Sequence, residues 1–237
     1  MNSAATRYWA VIPAAGGGTR MELNRPKQYL PLRDRTLLEW SAGVFLDLDW
    51  VDGVVLVLAK NDAEFPKLQL SRHPKIVTTT GGAQRADSVL AGLRVVAQRS
   101  EGFGDVRVLV HDAARPCVVW SDIERLRDEA DAKHGGLLAR PVTETLKTAK
   151  KGKVAGTLDR SFVWRAQTPQ LFRLDLLSAA LTECAVRNWE VTDEASAMER
   201  AGYKPRLVAG RESNIKVTYP EDLKLAEFWL NQQEAQT

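Results

Sequence analysis

The sequence predicts an α/β fold, a doubly wound and mostly parallel sheet of Rossmann-like type. Short apolar runs alternate with amphipathic segments along the chain, which is the signature of strands joined by crossover helices. Several of those runs are continuous in Val, Ile and Leu, as strands covered on both faces require. A glycine-rich stretch directly follows the first run, at the carboxyl end of a strand where such sheets bind ligands.

The predicted strands are 8–13, 53–59, 75–79, 106–111, 136–140, 205–209 and 214–218. The apolar stretch 8–15 is short, contains Pro13 and runs into Gly16-Gly17-Gly18, so it reads as a buried first strand and not as a signal peptide. One helix is predicted after Thr36, with Leu37, Trp40, Val44 and Leu48 on a face, and another near 84–98, where Val89, Leu93 and Val96 line up. Ser121 with Glu124 and Thr218 with Glu221 have the spacing of capping boxes. Residues 142–157 break the rhythm and read as two polar strands around a Lys-Gly turn. Such a hairpin is too polar for a core, and is either an arm for a second subunit or a surface excursion.

Composition narrows the function. The 237 residues suit one large domain spanning 1–237, without repeats or a linker. A net charge of +3 is too small to argue for nucleic acid, and the cluster Lys147, Lys150, Lys151 and Lys153 lacks interleaved aromatics. No apolar run reaches the ~18–20 residues of a membrane span. Cys117 and Cys184 form no CxxC pair, which suits a reducing cytosol and a cytoplasmic protein.

The first strand delivers Pro13-Ala14-Ala15-Gly16-Gly17-Gly18-Thr19-Arg20-Met21. Small residues let backbone amides approach phosphate oxygens closely. No Gly-Lys-Ser/Thr follows, and Met21 stands where a dinucleotide loop needs its third glycine, so neither common phosphate-binding fingerprint applies. Arg20 and Lys27 are two cations within reach of that loop, suited to charge growing on a phosphorus in transfer; solvated surface charge is the other reading. Gly81-Gly82-Ala83-Gln84-Arg85-Ala86-Asp87-Ser88 joins a strand to a helix and has the residue types for holding a nucleobase through backbone groups and the Ser88 hydroxyl; an ordinary strand–helix turn is the other reading. Asp112, at the end of a strand in His111-Asp112-Ala113-Ala114-Arg115-Pro116, is a hard oxygen ligand suited to Mg²⁺; an ordinary helix cap is the other reading. His111 lacks partners at metal-ligand spacing and reads as structural.

Together these segments resemble the 2-C-methyl-D-erythritol 4-phosphate cytidylyltransferases of the non-mevalonate isoprenoid pathway. The match runs in order through PAAGGGTRM, RPKQYL, GGAQRADSV, VHDAARP, PVTETLK, TLDR, TPQLF, VTDEASAME and NIKVTYPEDL. The resemblance implies a nucleotidyltransferase-type fold with a β-arm at about 142–165 that makes a homodimer. It implies transfer of CMP from CTP to a polyol phosphate with a divalent metal, Mg²⁺. Pro13, Ala14, Ala15, Gly16 and Gly18 would surround CTP, and Gly82, Ala83 and Ser88 would recognise cytosine and ribose. Arg20 and Lys27 would be catalytic, with Lys216 gripping the triphosphate and Asp112 serving metal and nucleotide. Asp112, Arg115, Thr145, Arg160, Thr168, Thr192 and Lys216 would form the acceptor site, with Arg160 and Thr192 partly supplied across the dimer. Ala83 departs from the acidic residue some relatives carry, so a base contact there falls to its backbone. The alternatives are a ribitol 5-phosphate cytidylyltransferase on the same scaffold and a non-catalytic nucleotide-binding protein; the joint presence of Arg20, Lys27, Asp112 and Lys216 speaks against the second.

Overall fold

The computed structural model describes residues 6–16 and 25–235. The strands are β1 Arg7–Ala14, β2 Pro31–Leu32, β3 Arg35–Thr36, β4 Gly53–Leu58, β5 Ile76–Thr80, β6 Val106–Val110, β7 Gly136–Pro141, β8 Lys147–Lys150, β9 Lys153–Thr157, β10 Trp164–Arg173 and β11 Arg206–Ala209. The helices are α1 Leu37–Leu46, α2 Arg85–Arg99, α3 Trp120–Glu129, α4 Leu174–Val186, α5 Glu194–Arg200 and α6 Pro220–Glu234.

Seven strands form the main sheet in the order β11-β7-β10-β6-β1-β4-β5. All neighbours pair in parallel except β10, which runs antiparallel to both β6 and β7. The chain leaves β1 toward β4 and β5, then returns to β6 on the other flank of β1. The strand order reverses at that point, and a crevice opens there beyond the carboxyl ends of β1 and β6.

Alternation along the strands divides the core. Ala10, Ile12, Val54 and Leu56 face a layer that includes Leu38, Ala42 and Phe45 of α1 and Ile123 and Leu126 of α3. Val11, Val55 and Val57 face the opposite layer, with Val89, Leu93 and Val96 of α2 and Leu177 and Leu181 of α4. Each fully buried aliphatic side chain of this kind stabilises the fold by roughly 1.5–3 kcal/mol relative to exposure. A third cluster seats Ala226 and Leu230 of α6 on Leu30, Leu32 and Leu37.

Several expectations need correction. Residues 214–218 form no strand. They cross the crevice as irregular chain, held by Asn214 Nδ2 donating to Thr168 O (2.8 Å) and by Val217 N–H donating to Ala114 O (2.8 Å). Instead β10 fills the sheet, a strand unannounced because Pro169 and the polar Gln167, Thr168 and Gln170 argue against a central strand. The sheet accommodates them at an irregularity between Ala166 and Gln170 in the ladder to β7. The Thr168–Pro169 bond is cis. The buried residues of α1 are Leu37, Leu38, Ser41, Ala42 and Phe45, so its inner face is rotated from the predicted one and Leu48 lies beyond its end. Thr36 caps this helix with a box to Glu39, worth about 1 kcal/mol. Ser121 caps nothing, because α3 begins at Trp120 after Val119. The cap of α6 is shifted by one residue: Asp222 Oδ2 accepts from the N–H groups of Thr218 (2.7 Å) and Tyr219 (2.8 Å).

The predicted hairpin is present as β8 and β9. Lys151 (φ 50°) and Gly152 (φ 75°) supply the left-handed pair its tight turn requires. Among the described residues no helix is long and apolar enough to cross a membrane.

Candidate active site

A cleft of 270 Å³ opens at the strand-order reversal, lined by Pro13, Ala14, Ala15 and Gly16 from the end of β1 and by Gly82, Ala83, Gln84, Arg85 and Ser88 from the β5–α2 turn. Lys27, Gln28, Asp112, Ala113, Ala114 and Lys216 complete its wall. Gly18 and Arg20 lie outside the described residues.

Short bonds hold the cleft's parts together. The turn Lys27–Tyr29 is fastened to the glycine loop by Gln28 Nε2, which donates to Ala14 O (2.6 Å). Behind it the Tyr29 hydroxyl donates to Asp62 Oδ2 (2.7 Å), and burial followed by this acceptor raises its pKa well above the ordinary phenol range. Lys27 Nζ donates to Val217 O (2.8 Å), so the irregular segment 214–218 bridges to the lysine. Gly81 and Gly82 make the β5–α2 turn possible. A Cβ on Gly81 would stand 2.6 Å from Ala15 Cβ and from Ser88 Oγ, and one on Gly82 would stand 2.4 Å from Asp87 Cβ. Ser88 Oγ accepts from the Gly82 N–H (3.2 Å) and donates to Gln84 O (3.2 Å), which fixes the turn's amides beside the cleft.

Asp112 is the floor. It is 8% exposed. Lys216 Nζ lies 2.9 Å from Oδ2, Arg85 Nη2 lies 3.1 Å from Oδ1, and Arg115 Nε lies 3.6 Å from Oδ2. Burial alone would raise the carboxyl's pKa, but Arg85, Lys216 and Arg115 together outweigh it and hold the group well below the usual carboxylate range. The Asp112 N–H donates to Thr168 Oγ1 (3.0 Å).

His111 is a packed support, as its sequence context implied. It is fully buried against Phe45, and burial pushes its pKa down to about 4, so it is neutral at physiological pH. Its Nε2 must carry the proton, since it faces Arg115 O (3.1 Å); Nδ1 then accepts from the Thr168 hydroxyl (3.0 Å).

A second pocket of 250 Å³ lies on the far side of Asp112, lined by Arg85, Asp112, Arg115, Thr168, Gln170, Thr192, Asp193 and Lys216, with Ala166 and Gln167. Arg85, Asp112 and Lys216 line both pockets. The expected acceptor residues therefore separate. Asp112, Arg115, Thr168, Thr192 and Lys216 meet here, within one chain. Thr145 and Arg160 do not line either pocket. They are exposed beside the hairpin, where Arg160 Nη1 donates to Thr143 O. Thr192, expected to be supplied partly across a dimer, stands at the second pocket of its own chain.

Arg85, Gln28 and Glu194 were not singled out from the sequence. Arg85 opens α2, where the helix dipole disfavours a cation, and that misplacement was the available signal. Gln28 and Glu194 are ordinary residue types whose importance appears only through their buried partners.

The donor set fits a metal arriving with a phosphate ligand better than a resident ion. Among the described residues no group of three His, Cys, Asp or Glu stands together, and Asp112 is the one carboxylate lining the first cleft. A Mg²⁺ ion commonly takes one or two carboxylates and draws its other ligands from phosphates and water. Lys216, the 46%-exposed partner of Asp112 Oδ2, is the cation best placed to yield that oxygen.

Relatives in sequence and in structure bear on this geometry. The sequence profile of 2-C-methyl-D-erythritol 4-phosphate cytidylyltransferase matches residues 8–232. Proteins of that name from Pseudomonas putida (strain F1) and Actinobacillus pleuropneumoniae serotype 7 (strain AP76) are 52% and 48% identical to this chain. The first alignment covers 95% of this chain and 94% of the relative, the second 94% and 96%. Among solved structures, the enzyme of that name from Francisella tularensis superposes with a TM-score of 0.81 at 37% identity, covering 94% of this chain and 99% of its own. The one from Thermus thermophilus gives 0.76 at 31% identity, covering 94% and 98%.

Proposed function

The chain belongs to the 2-C-methyl-D-erythritol 4-phosphate cytidylyltransferase family, and we propose that its two joined pockets transfer CMP from CTP to 2-C-methyl-D-erythritol 4-phosphate, a step in isoprenoid precursor synthesis. It is a nucleotidyltransferase. The observation that carries the reading of the site is the sharing of Arg85, Asp112 and Lys216 by both pockets, which brings two anionic ligands to one floor.

In this reading a phosphate oxygen of the acceptor attacks the α-phosphorus of CTP. One P–O bond forms, the α–β bridging P–O bond breaks, and pyrophosphate leaves with the bond's electron pair. The acceptor phosphate is already ionised at neutral pH, so the step needs no strong base, in keeping with His111 being buried and neutral. Catalysis then rests on holding two anions in line and offsetting their repulsion. The β5–α2 turn receives base and ribose, and the end of β1 receives the triphosphate. Lys27 and Arg20 stabilise charge on the crowded phosphorus. Arg115, Thr168 and Thr192 receive the acceptor phosphate, with Lys216 reaching across from Asp112. Asp112 would hold a Mg²⁺ ion, and the chemistry that ion would supply there is charge neutralisation. The protein works as a cytoplasmic homodimer, with Thr145 and Arg160 of the arm delivered to the acceptor pocket of the partner. Free, buried Cys117 and Cys184 and the exposed apolar side chains of the arm support this part.

Pyrophosphate release measured with CTP and either methylerythritol 4-phosphate or ribitol 5-phosphate, with and without Mg²⁺, tests the proposal. Turnover is expected with the former acceptor and the metal. Faster turnover with ribitol 5-phosphate, or full activity after chelation, would overturn it.

A further inference from the structure

The floor of the cleft is held by a closed ring of side chains, and part of that ring never meets a pocket. Arg85 directs Nε and Nη2 at Asp112 Oδ1 (3.3 and 3.1 Å) and Nη1 and Nη2 at the two oxygens of Glu194 (2.6 and 3.1 Å). Glu194 is 1% exposed, lines neither pocket, and among the described residues its carboxylate pairs with Arg85 alone. It opens α5 directly after Thr192 and Asp193. Gln170 fastens that turn to β10: its Nε2 donates to Asp193 Oδ2 (2.8 Å) and its Oε1 accepts from the Ala195 N–H (2.8 Å). Two residues back on the same strand, Thr168 accepts from the Asp112 N–H, and the ring closes.

Two physical points separate a functional ring from a structural one. A buried ion pair is a poor source of stability, because desolvating each ion costs several kcal/mol that the pairing roughly repays. A guanidinium lining two pockets that take phosphate ligands also competes for those ligands unless its charge is already matched. Glu194 supplies that match from outside the pockets. It thereby fixes the plane of Arg85, and Arg85 fixes the carboxylate of Asp112 toward both ligands.

We propose that Glu194 is a positioning residue for the transfer, acting only through Arg85 to set the orientation of Asp112 and to keep the Arg85 cation off the substrate phosphates. The proposal rests on the cytidylyl-transfer reading above.

The test is steady-state kinetics of pyrophosphate release by Glu194→Gln, Arg85→Gln and the double variant, with CTP affinity measured separately by calorimetry without acceptor. Glu194→Gln keeps shape and removes charge, and its kcat is expected to fall about 10- to 100-fold, the scale of one lost charge-assisted hydrogen bond. CTP affinity should not fall by more than about threefold, because the nucleotide-facing backbone of the β5–α2 turn is untouched and a released Arg85 cation adds attraction for the triphosphate. The double variant should be no slower than Arg85→Gln alone, the signature of one residue acting through the other. Glu194→Asp, which retains charge but shortens reach, should fall between wild type and Glu194→Gln, and it carries the test if Glu194→Gln fails to fold. Losses that multiply in the double variant, or a lowered unfolding midpoint with kcat unchanged, would overturn the proposal. Wild-type enzyme inactive with both substrates would instead sink the cytidylyl-transfer reading itself.

Discussion

Asp112 and Arg160 are both expected at the acceptor phosphate, yet the molecule holds them in opposite ways. Asp112 is buried, its backbone tied to β10 and its two oxygens shared among Arg85, Lys216 and Arg115. Arg160 sits on an exposed turn beside a hairpin whose strands are exposed almost throughout. The same region carries Val154, Leu158, Phe162 and Trp164 as exposed apolar side chains, with Phe162 84% exposed. The floor is over-determined by its own chain, whereas the arm takes its shape from a turn and a short ladder. Substitutions in the floor should therefore disturb position and stability together. Those in the arm should act on whatever the arm touches.

The largest expected effect tests the cleft itself. Lys27→Ala and Arg20→Ala should each lower turnover about 10²–10³-fold, the usual cost of removing one preorganised charge from a transition state. Lys27 projects from a turn fixed independently through Gln28 and Tyr29, so circular dichroism and the unfolding midpoint of its variant should stay near wild type. Near-normal pyrophosphate release by both variants would remove the catalytic assignment.

The next effect sharpens what it means for the floor to be buried. His111 has a folded-state pKa of about 4 against an ordinary value of 6.5. Between those values the unfolded chain binds a proton that the folded one refuses, so stability falls as pH drops from about 6.5 to about 4 and is retained above that window. The loss over the window is on the order of 3 kcal/mol. Asp112, whose pKa is depressed, adds its loss below the usual carboxylate range, so the two windows are separate. Urea unfolding midpoints from pH 7 to 4 should show the slope in wild type and a clearly shallower one in His111→Gln. Equal slopes would mean that the imidazole is solvated in the folded protein.

A smaller effect probes the arm. Arg160→Ala should lower turnover about 10- to 100-fold with no change in monomer stability, because its bond to Thr143 O is exposed. Mixing Arg160→Ala subunits with Lys27→Ala subunits is the sharper version. If the arm serves a partner's pocket, one of the two sites in a mixed dimer is intact, and activity should rise well above either variant alone. No recovery on mixing would confine Arg160 to its own chain.

The contrast also explains what was legible in the sequence. Strands β1, β4, β6 and β7 announce themselves because burial on both faces leaves apolar runs, and the edge strands β5 and β11, largely unburied, are marked only by short β-branched and aliphatic stretches. The hairpin announces itself through Lys151-Gly152, a local conformational demand. By contrast β10 is hidden: its Thr168, Gln170 and Gln167 are buried polar groups bonded to distant partners, and no local pattern records that. Residues 214–218 mislead for the same reason, since a run of alternating apolar side chains serves a crossing segment held by Thr168 and Ala114. Most pocket residues were found from motif and family resemblance, whereas Arg85, Gln28 and Glu194 required coordinates. Their role lies wholly in what they hold.

The smallest effect decides whether the arm is energetically separate from the floor. Gly152 sits at φ 75°, a conformation that costs a residue with a Cβ on the order of 1 kcal/mol. An added Cβ would meet nothing within 4 Å, so Gly152→Ala carries that backbone cost and no steric one. Strands β8 and β9 bury no apolar layer that would couple them to the main sheet. Opening the hairpin is then a local event, governed by its own free energy and not by the global one. Amide exchange of β8 and β9 should accelerate about fivefold in Gly152→Ala, the equivalent of about 1 kcal/mol. The global urea midpoint of a dilute sample should be unchanged. If the global midpoint falls by the full amount, the hairpin belongs to the cooperative core, and the exposed arm is as firmly tied to the fold as the buried floor.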